Sequence, residues 1–369
     1  MFFTIVFLVF MKCPLGEWFV FFIVYRHNDY RHSNRKTRDI FNLKINTAKI
    51  AMVEYHDLTL RDGCHAISHQ LTADMIKKHC QFVEKSKIPV MEIGHGNGLG
   101  ASSILIGKAT LSDVEMISLA KSYLKNAKLS VHVIPGLATV ERDIEPAINL
   151  GVDIFRIASH CTEASMTKSH IEYLASRGKT VYGALMMCAT CPLSVLVEEV
   201  TKMKSYGASA VIIMDSTGSF TPEQVEECFT ELSKIGITLG FHAHNNLGLA
   251  VANSLAAIKN GAEIIDATVC GFGAGAGNTP LEVISAIHPC GDINVLESIE
   301  HLDYKAPVTK VINILTAKHK LHSVFEKKIL DASQKYNVSL THLVEELGAR
   351  KLVAGQEDLV RVIAAQMSE

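Results

Sequence analysis

Short apolar runs rich in Val and Ile recur at fairly even intervals along the chain from residue 53 onward. Each run is long enough for a strand and too short for a helix, and polar or turn-forming residues bound it. Eight runs have this character: residues 53–58, 89–93, 129–134, 154–157, 181–186, 210–214, 238–242 and 264–269. We therefore predict eight strands in this part of the chain.

The segments between these runs carry helical signals. Within residues 112–125, Val114, Ile117 and Leu124 fall on one face of a helix. Thr221 followed by Pro222 is typical of a helix N-cap and first turn. Strands that alternate with helices predict a parallel α/β sheet, either a closed (β/α)8 TIM barrel or a doubly wound open sheet. The count of eight strands favours the TIM barrel.

The strand signal stops after about residue 295, and the remainder is more polar and helical in pattern. Residues 324–336 and 340–347 are the best helix candidates there. A chain of 369 residues has room for a barrel of roughly 250 residues and an appendage. We predict a TIM-barrel catalytic domain over residues 52–300 and a helical C-terminal domain over residues 301–369.

Residues 1–51 differ in composition from the rest and are predicted to form an atypical N-terminal extension. Two apolar runs, 1–11 and 18–25, flank a short polar interruption, and a basic polar stretch follows over residues 26–49. Neither run reaches the roughly 18 to 20 apolar residues that span a bilayer, and no secretory signal pattern is clear. Three interpretations stay open: a translated upstream stretch before a working start near Met52, a weak membrane anchor, or a targeting peptide.

Charge and cysteine content narrow the function classes. The formal net charge of -2 lacks the basic excess of a nucleic-acid-binding protein, so small molecules or protein partners are expected. Nine cysteines, an odd number scattered through apolar segments, favour reduced thiols in a cytoplasmic protein. The CxxC pair Cys188 and Cys191 could be a redox pair or half of a zinc site. No second pair completes a zinc site, which favours two free thiols.

Polar residues where barrel strands end are the candidates for chemistry. His242 and His244 close the seventh run, and side chains at i and i+2 of a strand share a face, so both imidazoles can reach one ion. A carboxylate is the expected third ligand. Asp62, in the loop after the first run, is favoured over Asp57, which we expect to orient a neighbour. Two histidines and one carboxylate leave positions open for a chelating substrate, which suits Mn²⁺ or Mg²⁺ better than structural zinc.

Two further residues flank the expected metal ligand Asp62. Arg61 has a planar fork that can grip a carboxylate or stabilise an enolate. The His65 imidazole lies within the same loop and can act as a general base near neutral pH. We therefore predict Arg61 and His65 as catalytic residues.

Glycine-rich stretches follow the second and eighth runs, at residues 94–100 and 271–278. Either one could be mistaken for a dinucleotide-binding fingerprint, but neither has an acidic partner on a following strand about 20 residues on. Close backbone approach to a small anionic substrate, or simple tight turns, is favoured over NAD binding.

Six motifs together resemble the 4-hydroxy-2-oxovalerate aldolases, which are related to hydroxymethylglutaryl-CoA lyase and isopropylmalate synthase. The resemblance extends from about Met52 to the Gly-Gln-Glu-Asp stretch at residues 355–358. Its motifs are Asp-Leu-Thr-Leu-Arg-Asp-Gly at residues 57–63, Glu-Ile-Gly-His-Gly at 92–96, Arg-Ile-Ala-Ser-His-Cys-Thr-Glu at 156–163, Met-Asp-Ser at 214–216, His-Ala-His-Asn-Asn-Leu-Gly at 242–248 and the glycine-rich residues 271–278.

The resemblance implies a reaction and roles for the residues. Asp62, His242 and His244 would bind Mn²⁺, with Mg²⁺ or another divalent ion as an alternative. Arg61 would stabilise an enolate, and His65 would take the proton from the 4-hydroxyl of a 4-hydroxy-2-oxo acid. Cleavage would release pyruvate and an aldehyde such as acetaldehyde, without a Schiff-base lysine. A Claisen-type acyl-CoA synthase and a catalytically altered barrel subunit are the alternatives.

Three positions depart from the family pattern. Cys64 replaces a usual Met, and Cys188-Ala189 replaces a Ser-His pair near the substrate carboxylate, which makes Cys188 a predicted substrate-binding residue beside Arg61. Residues 317–323 lack the family's two tyrosines, and Lys318 or His322 could take their place.

The resemblance also implies partners. Members of this family pass the aldehyde to an acylating acetaldehyde dehydrogenase, in the catabolism of aromatic hydrocarbons. We expect that partner here, together with self-association into an oligomer.

Overall fold

The computed structural model describes residues 4–12, 18–26, 53–352 and 356–368, the first two ranges as backbone only. It divides into two units, residues 1–50 and 51–369. In the first unit, strands Thr4–Lys12 and Trp18–Arg26 pair antiparallel, with Thr4 opposite Arg26. The predictions for residues 27–52, including the start near Met52, lie outside the described residues. Among the helices that the structure describes, none has the length and apolarity to cross a membrane.

The second unit contains a closed barrel of eight parallel strands, which excludes the doubly wound sheet and confirms the TIM barrel. Each strand pairs with the next along the chain, and the last pairs with the first. The strands are β1 (Glu54–Leu60), β2 (Val90–Ile93), β3 (Lys128–Val133), β4 (Ile154–His160), β5 (Thr180–Met186), β6 (Ala210–Asp215), β7 (Thr238–Ala243) and β8 (Ala262–Ala267).

The strand boundaries differ from the sequence prediction by one to three residues, and two of these differences have a clear structural reason. β4 extends to His160, beyond the predicted end at Ile157, because Ala158, Ser159 and His160 stay paired with β5. β8 ends at Ala267 rather than Val269, since Val269 already belongs to a tight 3₁₀ turn that begins the glycine-rich loop.

Eight helices surround the barrel: α1 (Ala73–Lys85), α2 (Asp113–Tyr123), α3 (Glu145–Asn149), α4 (Lys168–Ser176), α5 (Leu193–Ser205), α6 (Pro222–Leu232), α7 (Ala250–Lys259) and α8 (Leu281–Ile287). Ser112 caps α2 and Thr221 caps α6, each through a capping box that satisfies backbone N–H groups of the first turn. Both helices were predicted at these positions. The caps determine the residue at which each helix begins.

Four helices follow the barrel and bury a core of their own: α9 (Val311–Lys318), α10 (Glu326–Tyr336), α11 (Leu340–Ala349) and α12 (Asp358–Met367). Phe325, Ile329 and Leu343 are fully buried in this second core. The described residues after 295 contain no strand, in agreement with the sequence. The domain boundary at residues 300 and 301 stays a prediction.

Candidate metal centre

Three predicted ligands converge where β1 and β7 end. The possible ligand atoms of Asp62, His242 and His244 all lie within 4.8 Å of one another, and the three residues are buried. His242 Nε2 lies 3.3 Å from His244 Nε2 and 3.4 Å from Asp62 Oδ2. Among the described residues, no other group of three His, Cys, Asp or Glu residues comes together in this way. Two imidazoles and one carboxylate facing a single point are a donor set that fits a divalent cation.

The charges around these ligands also fit a cation. The Arg61 guanidinium overcomes the effect of burial and holds the pKa of Asp62 well below its usual range, so this carboxyl stays ionised. Burial lowers the pKa of His244 to about 3, which leaves its imidazole neutral. Although burial opposes a charged imidazole, Asp266 and Asp62 raise the pKa of His242. The two carboxylates therefore favour positive charge at this point, whether a proton or a metal ion.

Asp266, on β8, orients the ligand His242. With its proton on Nδ1, His242 donates to Asp266 Oδ2 at 3.0 Å, which leaves the Nε2 lone pair directed at the site. Asn278 Nδ2 donates to that Nε2 at 3.2 Å. The carboxylate thus fixes both the tautomer and the orientation of the ring.

We expect Asp266→Asn to weaken Mn²⁺ binding about 10- to 100-fold, because the carboxylate that orients His242 loses its charge. Calorimetric titration of the metal-stripped variant measures this effect. Asp266 also forms an ion pair with Arg156, which the change weakens. The melting temperature of the variant is therefore recorded, and the titration is run well below it. An unchanged Mn²⁺ dissociation constant would show that Asp266 does not support the ligand.

Arg61 is held in place by two carboxylates. Its Nε donates to Glu92 Oε1 at 2.7 Å and its Nη1 to Asp62 Oδ2 at 3.0 Å. Its Nη2 is buried and has no hydrogen-bond partner among the described residues. A buried guanidinium N–H without a partner is costly unless a ligand accepts from it, so Nη2 is positioned for an oxygen of a bound molecule.

A charge network below the site links Arg61 to His242 through the barrel interior. Arg156 Nε lies 3.2 Å from Glu92 Oε2, and Arg156 also donates to both oxygens of Asp266. Burial opposes ionisation of Glu92, yet the neighbouring Arg156 and Arg61 lower its pKa to about 2. Each of the charged members is in an ion pair, namely Arg61 and Arg156 with Glu92, and Arg156 with Asp266, and these pairs hold Arg61 and His242 in one orientation.

His65 occupies the short turn Asp62–His65 that follows β1. Burial lowers the pKa of His65, an effect that Asp62 only partly offsets, so the ring is neutral near pH 7. Arg61, Asp62 and His65 thus come from one loop and face the same mouth of the barrel. The proximity of these residues agrees with the sequence prediction, and their roles stay a proposal.

The other predicted residues lie in different surroundings. Cys188 is fully buried, and its thiol donates to the Leu185 carbonyl at 3.0 Å. Burial raises the pKa of Cys188 well above the usual thiol range, so the group is uncharged. Asp57 points toward α1, where His79 Nε2 lies 2.8 Å from its Oδ2. Its Oδ1 accepts from the backbone N–H and the hydroxyl of Thr59, so Asp57 orients neighbouring residues and is not one of the convergent ligands. The Cys64 thiol donates to the backbone carbonyls of Leu60 and Gly94.

The glycine-rich loop after β8 approaches the metal centre closely. Ala274 N–H donates to Asp62 Oδ1 at 3.3 Å, and Asn245 N–H donates to Gly277 O at 2.8 Å. A Cβ on Gly273 would overlap the Asn278 side chain. The glycines therefore let this loop close over two of the ligand-bearing segments, which explains the composition without a nucleotide.

Residues after the barrel also contact the site. Asn246, two positions after His244, donates to the Asn313 carbonyl of α9 at 3.2 Å. Burial lowers the pKa of His322 to about 4, with smaller effects from His65 and Asp62. Lys318, by contrast, is exposed at the end of α9. Of the two residues, only His322 is subject to a resolved electrostatic effect of His65 and Asp62.

Sequence reasoning missed Glu92, Arg156, Asp266 and His132 as members of this site. Each lies within an apolar strand, and burial of a charged or polar side chain there requires a partner. Such positions in runs such as Ile154-Phe155-Arg156-Ile157 were the signal available. His132 Nδ1 is buried, and no residue in the described part of the chain forms a hydrogen bond with it.

Comparison with known proteins decides the family. A family model described as HMGL-like matches residues 52–303, and one described as a DmpG-like communication domain matches residues 320–369. The 4-hydroxy-2-oxovalerate aldolase of Spirochaeta aurantia is 45% identical over 323 residues, which cover 84% of this chain and 95% of that protein. The chain belongs to the 4-hydroxy-2-oxovalerate aldolase family. The aldolase of that name from Pectobacterium atrosepticum is 42% identical over 326 residues, covering 85% of this chain and 95% of that protein.

Solved structures share the fold of this aldolase family member at low sequence identity. The carboxyl transferase domain of Rhizobium etli pyruvate carboxylase with pyruvate gives a TM-score of 0.66 at 15% identity, covering 86% of this chain and 61% of that chain. The N-terminal domain of a Bacteroides vulgatus protein gives a TM-score of 0.65 at 22% identity, covering 75% of this chain and 96% of that chain. At these identities the likeness shows the barrel alone. Aldolases are carbon–carbon lyases, so the predicted family and enzyme class are both confirmed.

Proposed function

We propose that this chain cleaves a 4-hydroxy-2-oxo acid, such as 4-hydroxy-2-oxopentanoate, to pyruvate and an aldehyde. The observation that carries the proposal is the convergence of Asp62, His242 and His244 beside Arg61 and His65. Relatives that match over most of the chain are named 4-hydroxy-2-oxovalerate aldolases. The substrate of those relatives has the keto, carboxylate and hydroxyl groups that this donor set would bind.

Asp62, His242 and His244 would hold a divalent ion, and we propose Mn²⁺. When bound, such an ion supplies Lewis-acid stabilisation of the negative charge that develops on the 2-oxo group. The proposal is supported by the ligand set, which consists of one hard carboxylate and two imidazoles that can bind in their neutral form, with no thiolate.

Arg61 and His65 would carry the proton and charge movements. His65, neutral because of its burial, accepts the proton of the 4-hydroxyl as the bond between C3 and C4 breaks. The electron pair of that bond remains on the pyruvate half as an enolate. Arg61 Nη2, for which the described residues offer no partner, donates to an oxygen of that half. Because Arg61 is almost fully buried, its charge acts with little screening by water.

A substrate panel tests the proposed reaction. The purified chain with Mn²⁺ is given 4-hydroxy-2-oxo acids of several chain lengths, and pyruvate is measured with a coupled dehydrogenase. We expect pyruvate from at least one of them. A parallel reaction with acyl-CoA and a 2-oxo acid measures free CoA. Release of CoA without cleavage of any hydroxy acid would indicate the Claisen-type synthase, and stoichiometric metal without either product would indicate an altered, inactive barrel.

We further propose that residues 320–369 dock an acylating acetaldehyde dehydrogenase. The match of this region to a communication domain supports the proposal, and Leu359 and Val362 expose apolar side chains one turn apart on α12. Co-elution of the two purified proteins, abolished by Val362→Asp, would support the docking site. Independent elution of the wild-type chains would contradict it.

A further inference from the structure

Three imidazoles stand in contact beside the metal centre. The ring of His65 meets the ring of His69 edge to face, with centroids 5.1 Å apart and planes at 74°. His69 in turn stacks on His95, with centroids 3.6 Å apart and planes at 18°. His69 is 8% exposed and His95 is fully buried. The contacts join the loop after β1 to the loop after β2.

Hydrogen bonds with the backbone fix the rings of His69 and His95. His69 Nδ1 accepts from Gly96 N–H at 3.3 Å, and His95 Nδ1 accepts from Asn97 N–H at 3.1 Å. His95 Nε2 then donates to the Gly107 carbonyl at 3.1 Å. Since the rings meet through faces and edges rather than through their nitrogens, the stack is not a proton wire. It forms a rigid support.

His65 packs between this support and Gly96. A Cβ on Gly96 would lie 2.6 Å from His65 Nε2 and 2.7 Å from His65 Cδ2 and Cε1. Only a residue without a Cβ leaves room for the ring there. The position of the His65 imidazole is therefore set by contact with His69 along one edge and Gly96 across one face.

The rings of His69 and His95 also place no charge next to His65. Burial lowers the pKa of His69 to about 3 and that of His95 to about 4, with the neighbouring imidazoles adding to the effect on both. Both rings are therefore neutral between pH 5 and pH 8. Arg61, Asp62 and His322 are the other ionisable groups that act on His65.

We propose that His69, backed by His95, is a positioning residue that fixes the His65 imidazole against Gly96 for proton transfer. This inference rests on the proposed function, because it assigns His65 the role of base. The geometry is independent of the ion, since none of the contacts involves Asp62, His242 or His244.

Two substitutions test the proposal through different contacts. His69→Asn removes the ring but keeps an acceptor for Gly96 N–H, and Asn tolerates the left-handed backbone at φ +64°. Gly96→Ala leaves every polar group in place and displaces His65. The control, His170→Asn on α4, removes a histidine outside the barrel mouth.

The readout compares two reactions of the Mn²⁺-loaded protein. Cleavage of a 4-hydroxy-2-oxo acid needs a base for the 4-hydroxyl proton. Decarboxylation of oxaloacetate breaks the C3–C4 bond with loss of CO₂, leaves the same enolate, and has no hydroxyl proton to remove. We expect kcat for cleavage to fall about 10- to 100-fold in both variants, since small misplacement of a catalytic group has that effect. KM and the decarboxylation rate should stay within about twofold of wild type, a margin far below the tenfold loss expected for cleavage.

A second readout does not depend on activity. Diethyl pyrocarbonate acylates accessible neutral imidazoles, and peptide mapping of the metal-stripped protein gives the rate of acylation at His65. We expect a severalfold faster rate in His69→Asn than in wild type or His170→Asn. Equal loss of both reactions, no loss of cleavage, or an unchanged rate at His65 would overturn the proposal. If wild type cleaves no substrate, the proposed function fails. The rate of acylation at His65 still decides whether His69 holds the His65 ring in place.

Discussion

Asp62→Asn is expected to abolish turnover, with a loss of about 10³-fold or more in kcat and loss of stoichiometric Mn²⁺ binding. The carboxylate is the sole anionic member of the ligand set, and the ion's stabilisation of developing charge accounts for several kcal/mol of the barrier. Arg61 would also lose the 3.0 Å contact that fixes its guanidinium. Metal analysis and pyruvate release measure the two effects in the same sample.

Asp57→Asn is the matched control for this prediction. Asp57 is a buried carboxylate of the same segment, but it pairs with His79 on the side of α1. Its replacement should lower the melting temperature and leave Mn²⁺ affinity unchanged. If Asp62→Asn bound Mn²⁺ as tightly as wild type, or if Asp57→Asn lost the metal equally, the assignment of Asp62 as a ligand would be wrong.

His65→Ala is expected to retain the metal and to slow carbon–carbon cleavage about 10²- to 10⁴-fold, the range that a positioned general base contributes. His65 is not a member of the convergent ligand group, so its removal should not change the Mn²⁺ dissociation constant. Oxaloacetate decarboxylation, which requires no hydroxyl proton transfer, should continue near the wild-type rate. Steady-state kinetics on both substrates provide the measurement.

The contrast between the two substitutions separates the roles. Asp62→Asn should stop both cleavage and decarboxylation, whereas His65→Ala should slow cleavage alone. His170→Ala, outside the barrel mouth, serves as the control for general loss of a histidine. A His65→Ala protein that cleaves at the wild-type rate would assign the base to another residue, and equal loss of both reactions would give His65 a different role.

Much of this site was predictable because its ligands follow strand ends. The spacing of His242 and His244 in a strand places both imidazoles on one face, and the loop position of Asp62 directs it to the same mouth. The alternation of eight strands with helices was sufficient for the barrel. The helix caps at Ser112 and Thr221 follow from local hydrogen bonding and needed no tertiary information.

The remaining features depend on long-range contacts that one sequence does not reveal. The loop position of Asp62 favours it over Asp57 as a ligand, but the sequence does not reveal that Asp57 pairs with His79 of α1. Glu92, Arg156 and Asp266 meet because strand register places them inside the barrel at similar heights. β8 ends early because Thr268 N–H turns to Thr279 O instead of continuing the ladder.

The central claim is that a divalent ion held by Asp62, His242 and His244 enables cleavage of a 4-hydroxy-2-oxo acid. Its most direct test is a titration of metal-stripped protein with Mn²⁺, during which bound metal and pyruvate release from 4-hydroxy-2-oxopentanoate are measured together. We predict that activity rises in proportion to bound metal and reaches its plateau at one ion per chain. Pyruvate release by the metal-free protein, or one bound ion per chain without any pyruvate, would contradict the claim.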